Sequence, residues 1–192
     1  MIVSDSHRFV FAHVPKCGGI AMRAALAPFA DGQAAVLSAT THETLPAFIA
    51  RKPELSSYYK FAFVRNPWER LVSFYVYARR HLARTLPLLQ ELSFTQMLRL
   101  VDGGAAWLED LFVMRPQSDY VDGADFVGRF ELLAQDFARV CARLGFHAAL
   151  ARRNASEHGA YAPYYDDWSR AFVARRYAQD IAEFGYVFES VP

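Results

Sequence analysis

A chain of 192 residues can bury a core without disulfide or metal staples, and it fits a single domain. Hydrophobic residues at 53% and aromatics at 15% exclude a disordered chain. A net charge of only +1 excludes broad attraction to nucleic acid or anionic lipid, so any anion site must arise from local placement of charge.

Arg8 to Val14 (RFVFAHV) is short, apolar and rich in β-formers, and Pro15 closes it, which predicts a buried strand. Gly18 and Gly19 lead into IAMRAALAPF, a predicted helix. Thr41 to Ala50 predicts a second helix, with Thr41 as its N-cap and Pro46 near its first turn. Lys60 to Val64 (KFAFV) predicts a second buried strand; Arg65-Asn66 leaves it, and Pro67 opens a helix whose broad apolar face runs through WERLVSFYVYARRHLA. From Thr85 to Gly123 the pattern is less regular: SFTQMLRLV predicts a helix, and Gly103-Gly104 and Arg115-Pro116 mark loops. Ala124 to Phe130 predicts a strand, followed by a helix with Leu133, Phe137, Val140 and Leu144 on one face and Gly145 as C-cap. A last helix, Asp166 to Phe184, carries Trp168, Phe172, Val173, Tyr177, Ile181 and Phe184 as its core stripe, and Gly185 ends it. There is no internal repeat and no low-complexity tract.

This alternation predicts an α/β fold: a central, mainly parallel sheet with helices on both faces, in one domain over residues 1–192. Ligands of such sheets bind beyond the C-terminal strand ends, and the two unusual loops, 15–19 and 65–68, follow strands. Two cysteines, Cys17 and Cys141, make no disulfide framework. The N-terminal stretch lacks a basic segment followed by a long apolar one, and no apolar run approaches membrane-spanning length. A cytoplasmic protein with no membrane span and no nucleic-acid partner is the expectation.

Two segments carry chemistry. In Pro15-Lys16-Cys17-Gly18-Gly19 a glycine turn precedes a helix, where backbone N–H groups converge and the helix dipole favours an anion. Lys16 adds a compact charge, and it is one of three lysines beside eighteen arginines. A tight turn using glycine for backbone freedom explains the pentapeptide equally well. The Walker pattern GxxxxGK[ST] is absent, and no acidic pair marks a magnesium site, which disfavours an ATP- or GTP-using kinase. In the second segment Arg65 leaves a strand and Ser73 stands two turns into the next helix; an arginine and a hydroxyl can share one phosphate. Alone, Arg65 reads as a salt bridge to Glu69 and Ser73 as a small packing residue.

Together the segments resemble the nucleotide-binding elements of sulfotransferases that use 3′-phosphoadenosine 5′-phosphosulfate (PAPS), closest to the carbohydrate-type family that includes heparan sulfate 2-O-sulfotransferases and bacterial relatives. The family's first loop reads roughly hydrophobic-P-K-[TCA]-G-[GS]-T-S, beside Val14 to Ala21 here; its second element, F-x-x-V-R-[ND]-P-x-x-R-x-x-S-x-Y, matches Phe61 through Tyr75 throughout. Asp125 to Glu131, the helix ending at Leu144-Gly145, and Tyr164 to Tyr186 are similar to the family's later elements, so the resemblance covers nearly the whole chain. It implies a P-loop-like three-layer α/β/α fold and a sulfotransferase that uses PAPS, releases adenosine 3′,5′-bisphosphate and needs no metal. The acceptor it implies is a hydroxyl, on a saccharide by preference.

The resemblance also implies roles. Lys16 with Cys17, Gly18, Gly19, Ile20 and Ala21 holds the 5′-phosphosulfate, and Arg65 and Ser73 hold the 3′-phosphate. Catalysis is then an in-line displacement at sulfur, with Lys16 neutralising charge on the leaving nucleotide. Ile20-Ala21 departs from the family's Thr-Ser, removing two hydroxyl donors, each worth ~1.5–3 kcal/mol when bonded to a charged group. That departure sustains the alternative of a non-catalytic nucleotide- or glycan-binding relative. The acceptor needs a base, and His42, between the motifs, is the candidate, with Glu43 in reserve; capping or solubilising a helix start is the other reading of both. His13 reads as a satisfied core residue, and His7, His81, His147 and His158 lack metal-ligand spacing. Cys17 reads as a loop residue. Arg152-Arg153-Asn154-Ala155-Ser156 reads as a solvated basic turn or as a flap over the nucleotide, and Trp107, Phe112 and Tyr120 as core or as an acceptor cleft.

Overall fold

The structure is a computed structural model that describes residues 1–30, 42–150 and 159–189. The chain divides into two compact units: Met1–Arg65 with Gln117–Ala155, and Asn66–Pro116 with Ser156–Pro192.

The first unit is built on a four-stranded sheet in the order β1 (Ile2–Ser4), β2 (Phe9–Ala12), β3 (Tyr59–Val64), β4 (Phe126–Arg129). β2, β3 and β4 run parallel, in a register that sets Ala12 beside Ala62 and Val64 beside Arg129. Their runs FVFA and FAFV are buried throughout, as strands covered on both faces must be. The expected α/β class with a mainly parallel sheet holds. The sequence reading had no place for β1, which pairs antiparallel with β2 across a short turn closed by Arg8 at φ 50° and by His7 N–H donating to Ser4 Oγ at 3.1 Å. Three residues are too few to show a period of two.

The same unit carries α1 (Gly19–Leu26), α2 (Leu45–Arg51), and, after the second unit's first segment, α6 (Gln117–Val121) and α7 (Leu133–Leu144). α2 starts later than expected: Thr44 caps it, accepting from Ala47 N–H at 3.4 Å, with Pro46 in the first turn, while the expected cap Thr41 lies outside the described residues. Gly145, in the left-handed region, ends α7 as expected. The buried face of α7 is Phe137, Val140 and Cys141 together with Asp136, whose carboxylate accepts from Arg129 N–H at 2.8 Å; Leu133 and Leu144 are half-buried.

The second unit is helical among the described residues. It holds α3 (Pro67–His81), α4 (Phe94–Asp102), α5 (Ala106–Glu109), α8 (Asp167–Arg176) and α9 (Ala178–Phe184). Asn66 caps α3 by accepting from Trp68 N–H at 3.1 Å, and Pro67 sits at the first position, where a missing N–H costs nothing. Capping boxes at Ser93/Gln96 and Asp166/Ser169 start α4 and α8. The expected single helix from Asp166 to Phe184 is two, broken at Tyr177 (φ −113°, ψ 31°). Neither glycine nor proline marks the break. Tyr177 is buried, and its hydroxyl donates to Met114 C=O at 3.1 Å, so a tertiary bond accompanies a kink that local sequence does not announce.

Gly128 lies where β4 meets the Phe63 side chain: a Cβ there would stand 2.5 Å from the Phe63 ring and 3.1 Å from Asp136 Cβ. Gly128→Ala is expected to destabilise the protein by about 1–3 kcal/mol through overpacking, read as a lowered Tm. An unchanged or raised Tm would show that the ring yields without strain.

Candidate functional site

The C-terminal ends of β2, β3 and β4 release the chain at one edge of the sheet, into residues 13–18, Arg65 and Phe130. The first of these turns is bent at two places. Gly18 has φ 80°, which glycine adopts readily, and Lys16 has φ 67°, which costs a side-chain-bearing residue ~1–2 kcal/mol. Such strain persists only where the surroundings impose it. Cys17 N–H closes the turn onto Val14 C=O at 3.4 Å, and the first α-helical bond runs from Met22 N–H to Gly18 C=O at 3.1 Å. Among the described residues no side chain caps α1. The amides of Gly19, Ile20 and Ala21 therefore occupy the first helical turn, where N–H groups have no intrahelical acceptor.

Two cations meet over this turn. Burial first, and the Arg65 guanidinium second, lower the Lys16 ammonium from its ordinary value near 10.5 to about 8. Arg65 is only 2% exposed. Its Nη1 donates to Lys16 C=O at 3.4 Å, and its guanidinium lies 4.0 Å over the Phe130 ring. Gly18 is the close partner of that exit, since a Cβ on it would stand 3.1 Å from Leu133 Cδ2 and 3.3 Å from the Phe130 ring. Gln117 ties these pieces together. Its side chain accepts from Arg65 N–H at 2.8 Å and from the Cys17 thiol at 3.2 Å, and it donates to Arg65 C=O at 2.8 Å.

His13 is buried against the same turn. A Cβ on Gly19 would stand 1.8 Å from His13 Nε2, so only glycine allows the ring this approach. The expectation of a satisfied core histidine fails in one respect: His13 Nδ1 is buried without a hydrogen-bond partner among the described residues. Burial first, and the neighbouring His42 second, hold its pKa down to about 3, so the ring is neutral near pH 7. The His42 ring lies 4.7 Å from it, with Nδ1 3.4 Å from His13 C=O. A carbonyl only accepts, so that contact is a hydrogen bond when Nδ1 carries the proton and Nε2 holds the lone pair. Glu43 is engaged by Arg51, whose Nε and Nη2 reach its two oxygens at 3.3 and 2.5 Å.

Lys16 to Ala21, His42, Glu43 and Arg65 thus all belong to the first unit. Ser73 belongs to the second, buried two turns into α3. Sequence reading passed over Gln117 and Phe130, and it gave His13 no link to His42 or Gly19. No local signal marks Gln117, whose partners lie 52 and 100 positions away in the chain. Arg70 of the second motif is internal scaffolding, with Nη2 donating to Val113 and Arg115 C=O at 2.8 and 3.0 Å. Tyr120 is core, while Trp107 and Phe112 are exposed. The basic stretch Arg152 to Ser156 lies outside the described residues. Among the described residues, no group of three or more His, Cys, Asp or Glu is placed to hold a metal, and no helix is long and apolar enough to cross a membrane.

Residues 1–187 match the family model described as "Sulfotransferase family". A protein of Archaeoglobus fulgidus described as uncharacterized is 29% identical over 109 residues, which cover 53% of this chain and 82% of that one. No solved structure matches.

The buried neutral His13 makes the fold acid-sensitive. Below pH about 6.5 the unfolded chain takes up this proton and the folded chain does not until about pH 3, so stability is lost as pH falls through that window. Relative to a His13→Leu chain, the unsubstituted protein should lose unfolding free energy between those pH values in denaturant titrations. A difference independent of pH would mean that the folded protein accommodates the protonated ring.

Proposed function

The chain belongs to the sulfotransferase family, and on that premise we propose that it transfers a sulfonate group from PAPS to an acceptor hydroxyl, on a saccharide by preference. The matched residues include both compact units, which supports treating 1–192 as one sulfotransferase domain. The observation that carries the reading is the meeting of Lys16 and Arg65 over an uncapped helix start. Two cations pressed together in partly buried ground are unfavourable alone and favourable around a polyanion.

In this reading the amides of Gly18, Gly19, Ile20 and Ala21 and the Lys16 ammonium hold the 5′-phosphosulfate. The Cys17 N–H is already used within the turn, so Cys17 contributes by fixing the turn's shape. Arg65 is assigned to the 3′-phosphate; Ser73 joins it on the sequence motif alone. The acceptor oxygen attacks sulfur as the bond from sulfur to the bridging oxygen breaks, and adenosine 3′,5′-bisphosphate leaves with the bonding pair. Lys16 neutralises the charge that gathers on that oxygen. The acceptor proton passes to His42, whose Nδ1–H contact with His13 C=O goes with the tautomer that places the ring's lone pair on Nε2. Glu43, held by Arg51, is the weaker candidate for the base. No step calls for a metal. A cytoplasmic setting is part of the same proposal.

A second reading, a nucleotide- or glycan-binding relative without turnover, is favoured by one observation. Ile20 presents an apolar side chain, 47% exposed, and Ala21 is buried, where the family's hydroxyl pair stands. Turnover separates the two readings.

Adenosine 3′,5′-bisphosphate is expected to raise the Tm more than AMP does, because a ligand that binds the native state stabilises it by mass action. Equal shifts would count against a 3′-phosphate site at Arg65. With labelled PAPS and a saccharide acceptor panel, Lys16→Ala should lower single-turnover transfer by about 10²-fold or more, and Lys16→Arg should rescue poorly because a planar guanidinium does not replace a point charge. His42→Ala should lower turnover by ~10²–10⁴-fold with little change in donor affinity. Near-normal transfer by Lys16→Ala would sink this mechanism, and near-normal turnover by His42→Ala would move the base elsewhere.

A further inference from the structure

Arg65 stands one residue past the last rung of β3, where the ladder to β4 has ended at Val64 and Arg129. Arg65 is buried, so its backbone N–H and C=O need hydrogen-bond partners. Gln117, the first residue of α6, supplies both from a single side chain that is itself 0% exposed. The carboxamide acts there as a substitute strand: one oxygen and one nitrogen answer one N–H and one C=O, each at 2.8 Å. The same oxygen also receives the Cys17 thiol at 3.2 Å, from the turn that follows β2. One buried side chain therefore bonds the exits of two neighbouring parallel strands.

We propose that Gln117 is a positioning residue for the donor: it fixes Arg65 and the Lys16-Cys17 turn in one arrangement, so that the two cations converge on one polyanion. The proposal rests on the sulfotransferase reading above, and it assigns a role to a residue in neither motif. Only glutamine among the neutral side chains of this length both donates and accepts in the plane of a peptide group. A glutamate would lose the donor to Arg65 C=O, and an asparagine would stop one methylene short. The thiol of Cys17 takes its place in the same scheme. It is buried and bonded, so its contribution is geometric rather than nucleophilic.

The arrangement has a signature that a merely structural role would not produce. The groups that bear on the Lys16 ammonium are Arg65, at the exit of β3, and Cys17, next to it in the turn. If Gln117 holds Arg65 in place, releasing it takes a cation away from Lys16 and raises the Lys16 pKa from about 8. Affinity for a phosphate, lost as Lys16 gives up its proton, should then persist to higher pH.

The test is calorimetric binding of adenosine 3′,5′-bisphosphate between pH 6 and 10 to the full chain, its Gln117→Met variant of similar volume, and Cys17→Ala and Cys17→Ser. Gln117→Met, which loses all three bonds of the carboxamide, is expected to bind at least about tenfold more weakly at pH 7, with the alkaline fall in affinity moved upward. Cys17→Ser keeps a donor to the carboxamide and should bind more tightly than Cys17→Ala does. Cys17→Ala should bind more weakly, and its effect should vanish when Gln117→Met is already present, since neighbours sharing one bond are not additive. Unchanged affinity and an unmoved alkaline limb in a folded Gln117→Met chain would overturn the proposal while leaving the donor site standing. Should Gln117→Met not fold, equal affinities for Cys17→Ala and Cys17→Ser would overturn it. No binding by the unsubstituted protein would overturn the donor-site reading and this proposal with it.

Discussion

The first unit is organised around a repulsion. Lys16 and Arg65 carry the same charge, both are withdrawn from water, and burial together with the neighbouring guanidinium weakens the hold of Lys16 on its proton. Like charges brought together are unfavourable in themselves, so other interactions must hold them in place. The parallel register of β2 and β3 brings the two strand exits to the same edge. Phe130, leaving β4, offers its ring face to the guanidinium, a surface that accepts a cation without neutralising it. Gln117 satisfies the backbone N–H and C=O of Arg65. The strained φ of Lys16 belongs to the same account: local energy is raised where a ligand's charge would lower it.

What could be read from the sequence was whatever depends on near neighbours in the chain. The runs FVFA and FAFV announce buried strands because every residue in them is apolar, and the glycine pair and Pro67 punctuate the helix starts that follow. Lys16 and Arg65 were legible as candidates because each stands at such a boundary. Features that depend on distant neighbours were not legible. The break at Tyr177 leaves the apolar stripe uninterrupted, and it coincides with a bond to Met114, 63 positions earlier. Gln117 touches Cys17 across 100 positions and Arg65 across 52, and nothing in Pro116-Gln117-Ser118 reports that. His13 looked like core, and it is core. Its meaning lies in the ring above Gly19 and beside His42, which gives the second glycine of the turn a steric reason beside the anion-facing amide and the backbone freedom legible in the sequence.

The departure at Ile20-Ala21 bears on how the remaining groups share the work. Recognition by backbone amides is indifferent to side-chain identity, so an N-terminal helical turn keeps its donors when Thr-Ser becomes Ile-Ala. What is lost is two hydroxyls, each worth ~1.5–3 kcal/mol toward a charged oxygen. What stays is a lysine partly shielded from solvent, an arginine almost wholly so, and the amides between them. Attraction in such ground is stronger than at a solvated surface, because the local dielectric is lower and screening by salt is weaker. A site of this kind leans on charge and on fixed geometry more than on hydroxyl contacts. In the proposed donor site that raises the importance of whatever sets the geometry, and the groups placed to set it are the glycine under His13 and the carboxamide behind Arg65.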